Sequence, residues 1–172
     1  MGCIIAVVMT SQAQVELRVN PLGFLSNSNF HLSAEIGASS HLGIEPFLGT
    51  GWMTGTKGGG FGFTTLQAKG LLYGFNNKYY FNPKNGIDKF YMGLYLRGGK
   101  SKTEGEPSQF FAVGVSTGYK WLYRQHFVFD LGIGLGKRLI NKYTLSGSPE
   151  VSNSPADGFL RFDVGYRFGN GS

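Results

Sequence analysis

The chain has 172 residues, 15% charged and 15% aromatic, with 28 glycines and a formal net charge of +6. Its only continuous apolar run, Cys3 to Met9, is far short of the ~20 residues a membrane helix needs, which excludes a helical membrane protein. The single cysteine, Cys3, excludes an internal disulfide and a CxxC metal site, and no basic run longer than Lys137-Arg138 supports a nucleic-acid binder.

Residues 1–13 read as a secretory signal, with the apolar stretch Cys3 to Met9 and a small-x-small exit, Ser11-Gln-Ala13. A basic leading region is missing, so the natural start is expected further upstream. Residues 14–172 then form one domain.

From residue 15 onward the pattern has a period of two, the mark of strands with one apolar and one polar face. Strand one is expected over Val15–Leu22, strand two over Phe30–Ala38 and strand three over Leu42–Trp52, where Pro46 removes a ladder donor and predicts a bulge or a break. Strand four spans Thr65–Phe81, with Asn77 falling on its apolar side. Strand five spans Phe90–Gly99, strand six Phe110–Trp121, strand seven Phe127–Gly136 and strand eight Phe159–Phe168. Most of these lengths suit a membrane strand of ~9–11 residues.

Connections alternate in length. Ser39–His41, Asn82–Lys89 and Leu122–His126 are short, and Asn85-Gly86 signals a tight turn. Met53–Thr64, Lys100–Gln109 and Lys137–Gly158 are longer and rich in Gly, Ser, Pro and charge; Phe24–Asn29 is a short exception. Long loops at one end and short turns at the other are the pattern of outer-membrane barrels, with the short turns periplasmic.

Glycine decides which face is outside. Gly43, Gly49, Gly51, Gly93, Gly114, Gly118, Gly132, Gly134, Gly136 and Gly165 share the polar face, and a small barrel has a crowded interior. The apolar face is therefore expected outside, against lipid. Tyr79, Phe81, Phe90, Tyr119, Trp121, Phe127 and Phe168 lie where strands meet the short turns, forming an interfacial aromatic girdle. Trp52 and Phe111 would mark the opposite rim.

The inward face carries Glu16, Arg18, His31, Glu35, Glu45, Lys78, Arg97, Lys120, Asp130, Arg161, Asp163 and Arg167. Mixed charges on facing strands predict a salt-bridged plug, and eight strands leave no room for a conducting pore. His31, Ser33 and Glu35 share one face and have the composition of a hydrolase trio. Lipid A deacylases carry a His-x-Ser pair, but facing lipid, whereas this trio faces the lumen. No catalysis, cofactor or metal is therefore expected. The glycine runs Gly132-x-Gly134-x-Gly136 and Gly99-Lys100-Ser101 match no nucleotide-binding spacing. Lys57, Lys100, Lys102, Lys137, Arg138 and Lys142 gather in the outer loops or at their rim, at the height of lipopolysaccharide phosphates.

Several segments carry a resemblance: Asn20-Pro-Leu22, Glu35-Ile-Gly37, His41-Leu-Gly-Ile-Glu45-Pro46, Lys78-Tyr-Tyr-Phe-Asn82, Phe90 to Leu96, Gly114 to Lys120 and Gly165-Tyr-Arg-Phe168. Together they resemble the small eight-stranded, OmpA/OmpX-like outer-membrane barrels of unknown function common in Bacteroidetes-type bacteria. The resemblance implies an all-β, antiparallel, up-and-down transmembrane barrel in the outer membrane of a Gram-negative bacterium. The family role is unassigned; the chain itself is expected to be a monomer with a structural or surface-interaction role, touching membrane lipid and, through its outer loops, lipopolysaccharide, host surfaces or a protein partner. A lipid A-modifying hydrolase and a soluble lipocalin-like carrier are the alternatives.

Overall fold

The computed structural model describes residues 14–21, 30–57, 64–103, 106–143 and 156–169, with side chains outside the description at 52–57, 64–69, 102–103, 106–108 and 141–143. The expected signal at residues 1–13, the loop Phe24–Asn29 and the Trp52 side chain lie outside the described residues.

Eight strands follow in chain order: β1 (Val15–Val19), β2 (Phe30–Gly37), β3 (Leu42–Lys57), β4 (Thr64–Tyr80), β5 (Lys89–Thr103), β6 (Glu106–Tyr123), β7 (Phe127–Tyr143) and β8 (Ala156–Phe168). Each pairs antiparallel with its successor, and β1 pairs with β8 to close an up-and-down barrel. Closure pairs the first strand with the last along the length of β1.

Side chains alternate as the period of two requires. Leu160, Leu135 and Leu94 are 75%, 66% and 64% exposed, whereas Glu35, Lys78 and Asp130 are fully buried. The apolar face is thus outside and the charges are inside. Asn77 keeps this register: it is exposed, paired with Ile44 on one side and Leu94 on the other.

The strands differ from the expected ones mainly at the end away from the short turns. β1 stops at Val19, just before Pro21, which has no N–H to donate. The expected loop Lys100–Gln109 is mostly strand, with only residues 104–105 between β5 and β6. Lys57, Lys100, Lys102, Lys137, Arg138 and Lys142 all lie within strands rather than loops. Composition misled here, because Gly, Ser and Lys tolerate a ladder once their neighbours supply one.

At Pro46 the β2–β3 ladder is interrupted between Ser33–Phe47 and Ile36–Ile44, but the register is the same on both sides. The missing N–H breaks the ladder without inserting a bulge. The bulge occurs elsewhere: Phe111 pairs with Ile140 and Ala112 with Arg138, leaving Leu139 as an extra residue in β7. Leu139 and Ile140 consequently both stand exposed.

The segment between β4 and β5, residues 81–88, is not the tight turn that Asn85-Gly86 suggested. It folds into the barrel mouth, where Ile87 is fully buried against Tyr80 and Tyr91. The Ile87 amide donates to Gln14 Oε1 (3.3 Å), and the Asp88 carboxylate accepts from the amides of Lys84 (2.6 Å) and Asn85 (3.2 Å). Gly86 takes φ +79°, a conformation that disfavours a side chain. One end of the barrel is therefore stoppered by its own turn.

Candidate functional site

The lumen is built by parity. Even positions of β1, β4, β6 and β7, and odd positions of β2, β3 and β8, point inward, so acids and bases from seven strands converge. Arg18 sits at the centre. Its Nη1 is 2.5 Å from Asp130, and its Nη2 is 2.6 Å from Glu35 and 2.5 Å from Glu45. Lys78 Nζ touches Glu35, Glu45 and Asp130 at 3.1, 2.9 and 2.8 Å. Lys120 bridges Glu16 (2.8 Å) and Glu35 (2.9 Å). Arg161 makes a two-pronged contact with Glu45 at 3.1 and 2.8 Å.

Five bases (Arg18, Lys78, Lys120, Arg161, Arg167) face five acids (Glu16, Glu35, Glu45, Asp130, Asp163), all buried, so this network is formally neutral. Neutrality is what makes the burial tolerable, because an unpaired buried charge is strongly destabilising. Tyrosines complete it. Tyr80 donates to Glu35 (2.5 Å) and Tyr91 to Asp130 (2.9 Å). Lys78 and Lys120 lie over the Tyr91 and Tyr80 rings at 4.4 and 4.7 Å.

The small-residue face has a second purpose that the sequence reading did not include. Bulky lumen side chains lie over glycines of other strands: a Cβ on Gly118 or Gly132 would strike Tyr91, one on Gly114 or Gly136 would strike Tyr95, and one on Gly134 would strike Phe159. Glycine parity thus makes room for large inward rings.

Of the twelve expected lumen residues, ten meet in the central network. His31 joins at its edge through Asp163 (3.1 Å). Arg97 stands apart and pairs with Asp157 at 2.5 Å, with Arg138 also 3.6 Å from that carboxylate. Asp157, Arg138, Tyr80, Tyr91 and Tyr95 are interior residues the sequence reading did not include in the network. Asp157 falls in the segment expected as a loop but lies in β8, on the parity of Arg161 and two residues upstream of Phe159.

This second tier lies away from the stoppered mouth. Tyr95 donates to Asp157 (3.0 Å) and packs on Phe159 at 5.1 Å between ring centroids. Arg97 lies 5.7 Å from both the Phe110 and Phe159 rings.

His31, Ser33 and Glu35 do face inward together, yet they make no relay. His31 is engaged with Asp163, Glu35 with Lys78, Lys120 and Tyr80, and the buried Ser33 hydroxyl has no hydrogen-bond partner among the described residues. No group of three metal-ligating side chains occurs among the described residues.

On the outside, the expected girdle residues gather near the short turns. Tyr79 packs on Phe81 (5.1 Å), Phe81 on Phe90 (5.7 Å) and Tyr119 on Trp121 (4.8 Å). Tyr166, which sequence reading placed outside but not in the girdle, links Phe127 (5.9 Å) to Phe168 (5.0 Å). Tyr123, 54% exposed, stands beside them. Comparison with protein-family models, with curated proteins and with solved structures finds no match, so the chain is characterised by its own geometry.

Proposed function

We propose that this chain is an outer-membrane β-barrel with a structural or surface-interaction role and no catalytic activity. The observation that carries the reading is the inverted barrel: exposed Leu, Ile, Val and Phe around the outside, and a neutral ionic plug within. Lipid accepts such an exterior, whereas in water an apolar surface of this kind drives aggregation. The aromatic residues beside the short turns suit one membrane–water boundary. A lipocalin-like carrier needs its apolar face inward, and nothing in the lumen network resembles that. The unconnected Ser33 gives a hydrolase no activated nucleophile.

Partners would meet the end away from the short turns. Lys100 and Lys137 are exposed there, and Lys100 shares a register row with Gln109 and Lys142. Such a row suits lipopolysaccharide phosphates. The family this reading suggests is the OmpA/OmpX-like barrels, and the role is that of a monomer in the outer membrane.

Expression behind a full secretory signal tests it. The protein should stay in carbonate-washed outer membranes and migrate differently before and after boiling on a denaturing gel. Recovery as a soluble periplasmic protein would refute the proposal. Replacing Lys100 and Lys137 by Gln should reduce co-purifying lipopolysaccharide, and unchanged retention would remove that partner.

A further inference from the structure

Two cations at the short-turn rim hold backbone conformations that their side chains do not favour. Lys89 takes φ +75°. Arg124 and Gln125 take φ +51° and +64° in the turn whose His126 amide donates to the Tyr123 carbonyl (3.3 Å). Left-handed backbone is uncommon outside glycine, and Asn or Gly is the ordinary choice for such a turn. Residues held in that region gather at binding sites, where the side chain is needed in spite of its backbone.

Both cations lie over outward rings of one strand. By the parity of Tyr91 and Tyr95, Lys89 would point into the lumen; instead its Nζ is 6.0 Å from the centre of the Tyr119 ring. The Arg124 guanidinium is 5.2 Å from that of Tyr123. Tyr119 and Tyr123 flank Trp121 on the outer face of β6, and Trp121 and Tyr123 are exposed. Exposed Lys84 adds a third cation to this rim. The one acid of the described short turns, Asp88, is buried and accepts from the amides of Lys84 and Asn85, so no exposed carboxylate there answers these charges.

We infer that Lys89 and Arg124 bind the phosphates of anionic phospholipids, whose acyl chains run along Tyr119, Trp121 and Tyr123. A ring face beneath each cation holds the charge at the lipid boundary, where a phosphate lies, rather than out in water. The inference rests on the outer-membrane reading and adds a second lipid contact, at the end opposite Lys100 and Lys137.

Trp121 reports on the site directly. The chain has two tryptophans, so Trp52→Phe leaves Trp121 alone. In vesicles of mixed phosphatidylcholine and phosphatidylglycerol, quenching of its fluorescence by whichever lipid carries brominated chains gives the relative occupancy of the two. Phosphatidylglycerol should be preferred at least about fivefold, the scale of one cation beside an anionic lipid, and the preference should shrink toward parity in about 1 M salt. Combining Lys89→Asn with Arg124→Asn should abolish the preference while thermal stability holds or rises, because Asn accepts left-handed backbone. Should that variant not fold, the salt dependence decides. Equal occupancy in the parent, a preference that persists in salt, or one that survives in the folded variant would overturn the inference with the membrane reading intact. Quenching of Trp121 by neither lipid would overturn both.

Discussion

Arg167 and Glu16 face each other across the seam where the last strand meets the first, 151 residues apart in sequence. The guanidinium grips Glu16 Oε1 from Nε (2.8 Å) and Nη2 (2.6 Å). Its Nη2 also donates to the Ile87 carbonyl (3.0 Å) and its Nη1 to that of Asn85. One side chain therefore ties barrel closure to the stopper. Arg167→Met should cost about 3–5 kcal/mol, the scale for breaking a buried pair. Urea unfolding measures the loss, and hydrogen exchange should show amides 84–88 opening first. Arg167→Lys keeps the charge without the fork and should fall between.

Lys78 serves Glu35, Glu45 and Asp130 at once, so its removal leaves three acids sharing Arg18, Lys120 and Arg161. Lys78→Met is expected to destabilise by about 3–5 kcal/mol. Adding Asp130→Asn restores neutrality and should recover about 1–3 kcal/mol of that cost, read as the coupling energy of a double-mutant cycle. Strict additivity would contradict a shared network.

Two glycines separate lumen packing from ordinary strand positions. A Cβ at Gly118 would collide with the Leu131 carbonyl and the Tyr91 ring. At Gly158 the nearest atoms are the Gly134 carbonyl oxygen at 3.3 Å and Leu135 Cδ2 at 3.6 Å. Gly118→Ala should therefore cost about 1–3 kcal/mol, whereas Gly158→Ala should stay within about 0.5 kcal/mol of the parent. Thermal or denaturant unfolding of the two single variants makes the comparison.

The fold was legible because parity is a robust signal. A one-residue slip would reverse every face, and Asp130 shares its face with Gly132, Gly134 and Gly136, opposite Phe127, Phe129, Leu131 and Ile133. Strand ends were less legible, since Lys100, Lys102 and Lys137 look like loop residues until their cross-strand partners are known. The stopper was hidden for a different reason. Asn85-Gly86 reads as a hairpin turn locally, and it is Gln14 and Arg167, distant in sequence, that join the flanking Tyr80 and Tyr91 in holding residues 81–88 inward. The Tyr95–Asp157 contact shows the same limit: it spans 62 residues, and no local spacing encodes it.

Ser33 tests the absence of catalysis. Ser33 is 2% exposed and its hydroxyl has no partner among the described residues, so Ser33→Ala removes a desolvated group without breaking a bond. Stability should be unchanged or rise by about 1 kcal/mol. Acyl composition of the host membrane should be the same with either form, and loss of acyl release in the variant would favour a hydrolase.

The central claim is that the exposed leucines face lipid. Nitroxide labels placed singly at Leu94, Leu135 and Leu160, in protein reconstituted into vesicles, measure this directly. The account predicts strong relaxation by oxygen, which partitions into lipid, and weak relaxation by a water-soluble nickel chelate. Free access of the chelate to all three sites would show a water-facing exterior and contradict the membrane assignment.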